Sequence, residues 1–360
     1  MSKGKHILSN KENMDELYMQ RCLELAALGI GNTSPNPLVG AVIVHNGVII
    51  GEGYHEKYGE AHAEVNAVNS VKDKSLLPQA TMYVNLEPCS HHGKTPPCAD
   101  LIVSNNIKHV VIGTVDPNSL VAGKGIKKLL TAGVEVKQDV LQKECFDLNK
   151  RFFTFFGKKR PYIILKWAQT KNGFLSKSEI DKREPFWISN DLSKTLVHKW
   201  RSEEPAILVG HNTVVADNPK LNTRNWPGKS PLRVILTSKL KEIKDSSVFD
   251  GSVPSIVFSR NNSTEVLDNV KIVKTGDNNI KEMLEYLYKE DIQSLIVEGG
   301  AKVLEHFISN NLWDECRVFT GAVNVKKGIK APVLQQAPDK NVTLLQDTLS
   351  FYFNKPLLNS

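Results

Sequence analysis

The spacing of hydrophobic residues in the first 150 positions alternates between a helical period and a strand-like period. A helix is predicted to start with Asn13 as its cap and Glu16 reaching back to it, with a buried face of Tyr18, Cys22, Leu25 and Leu28. Two strands follow, VGAVIV and VIIGEG, and the Asn46-Gly47 pair between them is the preferred hairpin turn. The next segments are the helix AHAEVNAVNSV, the strand TMYVNL, the helix CADLIVSNN, the strand HVVIGTV, the helix GIKKLLTAG and the strand VEVKQDV. This alternation predicts an α/β layer sandwich with a mostly parallel sheet.

A second α/β series follows a further helix that is predicted to run through Lys150. The basic segment FFGKKRP, which ends in a proline, places a domain boundary near residues 152–161. Beyond it the predicted strands are YIILKWA, AILVG, RVILTS, SIVF and SLIVEGG. We therefore predict domains over residues 13–152 and 153–360, preceded by a flexible extension over residues 1–12. No internal repeat is visible, so the two domains are not duplicates.

Composition and charge narrow the class of protein. A chain of 360 residues with 41% hydrophobic residues is typical of a globular protein with about two domains. No apolar run approaches the roughly 18 residues that span a bilayer, and the N-terminus lacks the apolar centre of a signal peptide. Five scattered cysteines, an odd number, favour a reducing cytoplasm over a disulfide framework. The net charge of +7 is compatible with nucleic acid, with small phosphorylated ligands or with a merely solvated surface.

The candidate chemistry lies in two polar segments, GEAHAEVNAV and NLEPCSHHGKTPPC. His62, Cys89 and Cys98 each lie near the end of a predicted element, and helix N-termini favour the thiolate form of cysteine that binds metal. Three protein ligands leave the fourth tetrahedral position of zinc open to water, as in catalytic sites. Zinc lowers the pKa of such a water to about 7, so hydroxide becomes available at neutral pH. Glu64 is then predicted to carry protons rather than to bind the metal.

His-x-Glu followed by Pro-Cys and a second Cys is the pattern of zinc deaminases. The common form separates the two cysteines by two residues, whereas eight residues separate Cys89 from Cys98 here. His91 and His92 are therefore rival ligands, and a closed structural site of two cysteines and two histidines is an open alternative.

Several motifs resemble the bifunctional riboflavin biosynthesis deaminase–reductase family. PNPLVGAVIV, HAEVNAV, NLEPCSHHGKTPPC and DPNSLVAGKG resemble its deaminase half, and LKWAQTKNG, ILVGHNTVVADNPKLNTR and IVEGG resemble its reductase half in the same order. The resemblance extends over roughly residues 13–335, and the long insertion between the cysteines is particular to this family. It implies a cytidine-deaminase-like three-layer sandwich followed by a dihydrofolate-reductase-like α/β domain.

The resemblance also implies the first reaction and its residues. One zinc ion per chain would serve the hydrolytic deamination of 2,5-diamino-6-(phosphoribosylamino)pyrimidinone. Asn36 and His55 would hold the pyrimidine, and Lys94, Asp116 and Asn118 would hold the ribose phosphate arm. Lysine is a reasonable phosphate ligand because it has three donors and no acceptor.

For the second domain the resemblance implies reduction of the ribosyl chain to ribityl with NADPH. The Rossmann pattern Gly-x-Gly-x-x-Gly is absent, and the turn at Gly299-Gly300 offers backbone amides to phosphate instead. The implied NADPH contacts are Ala168, Trp187, Thr213, Asp217, Ser238, Gly300, Ala301, Lys302, Val303, Leu304, Glu305 and His306. The implied substrate contacts are Pro185, Arg201, Leu221, Arg224 and Glu298. Lys166 interrupts an apolar strand, which is costly outside a site, so we expect it to position substrate or donate a proton.

Two departures from the family pattern concern the second domain. Asn172 stands where the family often has an aspartate, and the segment VFTGAVNVKKGIKAP differs from the usual one. Two other functions stay open: an RNA-editing zinc deaminase, and a non-enzymatic protein in which zinc holds one domain together while the other binds a nucleotide. The family resemblance favours small phosphorylated pyrimidines as ligands, without nucleic acid or membrane, in a self-associating cytoplasmic enzyme.

Overall fold

The computed structural model describes residues 10–90, 96–117, 122–177, 187–262, 265, 267–276 and 279–354. The chain divides into two compact units, Met1–Lys158 and Lys159–Ser360. Lys94, Asn118 and Pro185, together with the rival ligands His91 and His92, lie outside the described residues. In the described part of the chain, no helix combines the length and the apolar character needed to cross a membrane.

The first unit contains a five-stranded sheet in the order β2-β1-β3-β4-β5. Its strands are β1 (Gly40–His45), β2 (Val48–Tyr54), β3 (Thr81–Val84), β4 (His109–Ile112) and β5 (Glu135–Lys137). Its helices are α1 (Asn10–Ala27), α2 (Ala63–Ser70), α3 (Cys98–Ser104), α4 (Lys124–Thr131), α5 (Gln142–Leu148) and α6 (Lys150–Lys158), with a 3₁₀ helix at Lys74–Gln79. Only β1 runs antiparallel to its neighbours β2 and β3, so the mostly parallel sheet is confirmed.

The two faces of this sheet bury different helices. Ala41 and Ile43 of β1 contribute to a core shared with α2, α3 and α4, whereas Val42 and Val44 contribute to a core shared with α1 and α5. This period of two places apolar side chains on both faces, as a sheet covered on both sides requires. The predicted three-layer sandwich is thereby confirmed. The hairpin is also confirmed, because Asn46 and Gly47 both have positive φ.

Two local predictions about the first helix are wrong. Helix α1 begins at Asn10, so Asn13 lies inside it and residues 10–12 of the predicted flexible extension are helical. Leu28 lies beyond the helix and is 62% exposed, because α1 ends at Ala27 before the stripe completes another turn. Beyond Lys150 the basic segment forms helix α6, in which Phe152 and Phe155 are buried.

The second unit contains a nine-stranded sheet in the order β11-β10-β9-β8-β12-β6-β13-β16-β15 and a ribbon of β14 with β7. Its strands are β6 (Tyr162–Gln169), β7 (Phe174–Lys177), β8 (Ala206–Gly210), β9 (Leu232–Leu236), β10 (Ser255–Ser259), β11 (Val270–Lys274), β12 (Ser294–Val297), β13 (Glu315–Thr320), β14 (Gly328–Lys330), β15 (Lys340–Leu344) and β16 (Asp347–Phe353). Its helices are α7 (Asp191–Glu203), α8 (His211–Asp217), α9 (Asn279–Lys289) and α10 (Ala301–Ser309), with 3₁₀ helices at Leu240–Glu242 and Ser247–Phe249. The five predicted strands are confirmed. Wherever two of the strands β6, β8, β9, β10, β11, β12 and β13 pair with each other, the pairing is parallel.

Strand β6 places Lys166 on a defined face of this sheet. Ile163, Leu165 and Trp167 pack with helices α9 and α10, whereas Tyr162 and Ile164 pack with α7 and α8. By alternation Lys166 lies on the α7 side. Ligands of open α/β sheets bind beyond the carboxyl ends of the strands, and Gly210 and Glu298 stand at those ends of β8 and β12.

Candidate active sites

The first candidate site is a cluster of three metal-binding side chains. In the described part of the chain, His62, Cys89 and Cys98 form a group whose donor atoms all lie within 4.8 Å of one another. His62 is the N-cap of α2, and Cys98 is the first residue of α3, after Pro97. The α3 start also fixes Cys89, because the backbone N–H groups of Cys98 and Ala99 donate to its Sγ and its carbonyl oxygen.

These distances fit a single tetrahedral zinc ion. With zinc bonds of about 2.0 Å to nitrogen and about 2.3 Å to sulfur, two ligand atoms stand about 3.5 Å apart. His62 Nδ1 lies 3.6 Å from Cys89 Sγ and 3.3 Å from Cys98 Sγ. The hydrogen bond between the two thiols lowers the pKa of Cys89 and raises the pKa of Cys98. The second thiolate therefore requires a nearby cation, which the chemistry of this donor set suits.

Glu64 lies beside this cluster, in the first turn of α2. Its side chain is 3% exposed, and burial raises the pKa of its carboxyl group. Helix α2 is seated closely on β2, because a Cβ atom on Gly53 would lie 2.3 Å from the backbone nitrogen of Ala67. The contact with β2 fixes the helix that carries both His62 and Glu64.

Asn36 and His55 are hydrogen-bonded to each other next to the metal ligands. His55 Nδ1 lies 3.0 Å from the carbonyl oxygen of Ala61, so this nitrogen carries the proton and Nε2 accepts from the Asn36 amide at 3.0 Å. Burial lowers the pKa of His55 and keeps it neutral. The rings of His55 and His62 are 5.5 Å apart, which places the predicted pyrimidine contacts beside the predicted metal site.

Two buried asparagines hold the segment that follows Asn36. Asn149 Oδ1 accepts from the backbone nitrogen of Leu38, and the side-chain amides of both Asn85 and Asn149 donate to the Leu38 carbonyl oxygen. Asn85 Oδ1 also accepts from Gly40 at the start of β1. The sequence analysis did not select Asn85 or Asn149. The one feature that could have identified them is that each is an uncharged polar residue next to an apolar segment.

The second candidate site is centred on Glu298, directly after β12. Its carboxylate accepts from Arg201 Nε at 3.2 Å and Nη2 at 2.8 Å, and Lys166 Nζ lies 3.7 Å away. Burial alone would raise the pKa of Glu298, but Arg201 and Lys166 outweigh it and hold the pKa at about 2. Burial lowers the pKa of Lys166, although Glu298 opposes this effect. Lys166, which interrupts the apolar pattern of β6, thus lies beside Glu298 and Arg201, two residues predicted to bind substrate.

The two arginines meet at Asn222, which sequence reasoning missed. Arg201 Nη1 donates to the carbonyl oxygen of Asn222 at 3.3 Å, and Arg224 Nη1 donates to its side-chain oxygen at 3.1 Å. The backbone nitrogen of Arg224 donates to Nδ1 of buried His198. Burial and the two positive charges lower the pKa of His198 to about 4, so it is neutral. Two cations that are only partly neutralised make this region suitable for an anion.

A glycine cradle lies at the ends of β8 and β12. Gly299, with φ of +121°, and Gly300 are joined by a cis peptide bond, and the backbone nitrogen of Gly210 donates to Gly299. A Cβ atom on Gly300 would lie 3.1 Å from Thr213 Oγ1, so the glycine backbone lies close to this hydroxyl just before α10. Glycine backbone beside a hydroxyl at a helix N-terminus fits the phosphate of a nucleotide cofactor.

The remaining residues predicted to contact NADPH or the reductase substrate have varied positions. Leu304 is fully buried in the core, as is nearly all of Leu221, so these two side chains are packing groups. Lys302, Glu305 and His306 are exposed on α10, while Ala301 and Val303 are half-buried in its first turn. Trp187 is 55% exposed beneath Lys194 and does not fill the core. Half-buried Ala168 lies on β6, Asp217 is exposed at the end of α8, and Ser238 is exposed beyond β9.

The two departures from the family pattern contact each other. Asn172 Nδ2 donates to the carbonyl oxygen of Val325, and Val325 donates back to Asn172 Oδ1. Lys171 bonds to Val323, and β14 pairs with β7. An amide is suited to this position because it both donates and accepts, which a carboxylate cannot do.

Comparison with known proteins yields two family models and many relatives. Residues 12–114 match the cytidine and deoxycytidylate deaminase zinc-binding region, and residues 161–348 match the RibD C-terminal domain. The chain is 41% identical over 322 residues to riboflavin biosynthesis protein RibD of Aquifex aeolicus, covering 88% of this chain and 89% of that protein. It is 33% identical to RibD of Escherichia coli, covering 85% and 87%.

Solved structures resemble the whole chain. The diaminohydroxyphosphoribosylaminopyrimidine deaminase/5-amino-6-(5-phosphoribosylamino)uracil reductase of Thermotoga maritima is 38% identical, with a TM-score of 0.86 over 95% of this chain and 99% of that one. RibD of Acinetobacter baumannii is 30% identical, with a TM-score of 0.86 over 96% and 100%.

Proposed function

Because the chain belongs to the RibD family of bifunctional riboflavin biosynthesis enzymes, we propose that its two units act in succession on one phosphorylated pyrimidine. The first unit is a deaminase and the second is a reductase. The observation that carries the proposal is the convergence of His62, Cys89 and Cys98 beside the buried carboxyl group of Glu64. Three ligands with an adjacent acid suit catalysis, whereas a structural zinc site has no use for the carboxyl group.

In the proposed first reaction, water replaces the exocyclic amine of 2,5-diamino-6-(phosphoribosylamino)pyrimidinone. Zinc held by the three ligands would activate that water at neutral pH. Glu64 takes a proton from the water and delivers it to the amine, which leaves as ammonia. Asn36, oriented by neutral His55, hydrogen-bonds the ring. We assign Asp116, with Lys94 and Asn118, to the ribose phosphate arm.

In the proposed second reaction, the C1 carbon of the opened ribosyl group is reduced. NADPH would supply the hydride, bound by Thr213 and the Gly299–Gly300 cradle, with Ala168, Trp187, Asp217 and Ser238 assigned to the same ligand. Lys166 positions the reacting atoms and donates the accompanying proton, which its lowered pKa favours. Glu298 keeps Lys166 and Arg201 in place through the contacts described above.

Recognition of the substrate phosphate is assigned to Arg201 and Arg224. The Arg224 guanidinium is exposed, and its contact with Asn222 directs it toward the region of Arg201. Arginine binds phosphate with two parallel hydrogen bonds, which lysine cannot reproduce. We therefore propose that the same phosphorylated arm is bound in both units, by a different set of residues in each.

The experiment that tests this function uses the zinc-loaded chain with the diaminopyrimidinone substrate. We expect ammonia release without NADPH and, on addition of NADPH, oxidation of one NADPH for each ammonia released. Ammonia release that persists without subsequent NADPH oxidation would remove the reductase assignment. Deamination of RNA but not of the free pyrimidine would replace the substrate class.

A further inference from the structure

Glu87 is a buried acidic residue in the first unit that the proposed chemistry does not use. It lies two residues before Cys89 and is 4% exposed. One carboxylate oxygen accepts from the backbone nitrogens of Gly125 at 2.9 Å and Ile126 at 3.2 Å. The other accepts from Gly123 at 2.9 Å and Asp116 at 3.3 Å.

This carboxylate binds two separate pieces of backbone. A carboxylate accepts about four hydrogen bonds, so four N–H donors match its capacity. Three donors belong to the start of helix α4, where N–H groups lack helical partners and favour a negative charge. The fourth belongs to Asp116, which lies beyond β4. Glu87 therefore fixes the position of Asp116 relative to α4.

The metal-ligand segment is packed against the same place. A Cβ atom on Gly125 would lie 2.0 Å from the carbonyl oxygen of Pro88, so the start of α4 is in direct contact with the residue before Cys89. The backbone nitrogen of Glu87 donates to the carbonyl oxygen of Thr114, two residues before Asp116. Displacement of Glu87 would thus change the distance between Asp116 and the metal ligands.

We propose that Glu87 is a positioning residue for the deaminase substrate, which holds Asp116 in register with Cys89. This inference rests on the proposed function, which assigns Asp116 to the ribose phosphate arm. In this role Glu87 contacts neither metal nor substrate. Its removal impairs substrate binding rather than the acid–base step, which belongs to Glu64.

The test uses the zinc-loaded full chain and the variant Glu87→Gln, whose amide group presents hydrogens to backbone donors. We expect the KM of deamination to rise about tenfold or more, with kcat and zinc content essentially unchanged. The matched control is Glu52→Gln, which removes a half-buried carboxylate that pairs with Arg21 in the same unit. This control should leave KM unchanged.

Glu87→Asp keeps the charge but withdraws it by one methylene, so we expect a smaller rise in KM in the same direction. If the zinc content shows that Glu87→Gln does not fold, the KM of Glu87→Asp tests the inference in its place. Loss of zinc from both variants, a fall in kcat at unchanged KM, or native KM in both would overturn the inference. Absence of deamination by the zinc-loaded native chain would instead contradict the proposed function itself.

Discussion

In the first unit three metal-binding side chains face one another, whereas in the second unit the buried charges face partners of opposite sign. His62, Cys89 and Cys98 can all act as ligands only when both thiols lose their protons next to a cation. Glu298 already has Arg201 and Lys166 within ion-pair distance. The first site is therefore expected to depend on an added ion, while in the second unit the counter-charges of Glu298 come from the protein's own side chains.

Replacing one thiol should abolish the first activity and spare the second. We expect Cys98→Ser to lower zinc content well below one per chain and to eliminate deamination, because a thiolate ligand is lost. Reduction of pre-deaminated substrate should be unaffected, and so should the fluorescence of the five tryptophans, which all lie beyond residue 159. Cys145→Ser, at a buried cysteine in the other core of the same unit, is the control. Full zinc occupancy in Cys98→Ser would contradict the three-ligand assignment.

Glu64→Gln separates metal binding from proton transfer. We expect zinc to stay bound while deamination slows by about 10²–10⁴-fold, the usual contribution of a positioned acid–base group. Glu60→Gln, at an exposed neighbour, should behave as the native chain. Measuring zinc content beside kcat decides the point, since joint loss of both would make Glu64 a ligand.

Glu298→Gln tests the balance of charge in the second unit. Its folded-state pKa of about 2 lies below the reference value of 4.5, so its stabilising effect is complete above pH 4.5 and disappears as the pH falls through 2. We expect a loss on the order of 3 kcal/mol in the free energy of unfolding at pH 7, shrinking below pH 4.5. Urea unfolding followed by tryptophan fluorescence reports this unit. Exposed Glu285→Gln should show no such pH dependence, and a constant deficit at every pH would refute the charge argument.

Arg224→Ala should affect substrate binding without disturbing that balance. Loss of one charge-assisted bond to phosphate should raise the reductase KM by about tenfold, whereas NADPH affinity should barely change. Lys229→Ala removes an exposed cation nearby and is the control. NADPH titration beside steady-state kinetics distinguishes the pockets, and equal weakening of both ligands would assign Arg224 to the cofactor.

The smallest effect is expected at Asn172. Asn172→Asp keeps the acceptor for Val325 N–H but replaces the donor to its carbonyl oxygen with a second acceptor. We expect a loss of about 1–2 kcal/mol in the free energy of unfolding, measured by tryptophan fluorescence in urea. Asn172→Ser, which retains a donor, should lose less. Equal stability of the aspartate variant would show that this amide pair contributes little.

The hydrophobic period predicted the strands that position both sites, because buried strands and helices impose different spacings. It failed where polar residues are buried in pairs. Strand β13 was not predicted, since Glu315 and Arg317 interrupt its apolar pattern, yet both are buried and hydrogen-bonded to each other. A strand whose buried charges neutralise one another has the same sequence pattern as an exposed segment.

The same limit applies to the sites. The three candidate metal ligands could be selected from residue type and from the His-x-Glu and Pro-Cys motifs, which are local features. Glu87, Asn222 and His198 could not, because each acts through backbone or side chains brought close only by folding. Glu87 meets Ile126 across 39 positions, and Arg201 meets Asn222 across 21.

The pairing of Asn172 with Val325 has a practical consequence for anyone exchanging parts between relatives. The residues around 172 and the segment that includes Val325 share hydrogen bonds and a two-stranded ribbon. If only the later segment is replaced by a relative's sequence, Asn172 remains as the hydrogen-bond partner of a backbone for which it is not suited. Chimeras of this enzyme should therefore take position 172 and residues 318–332 from the same parent.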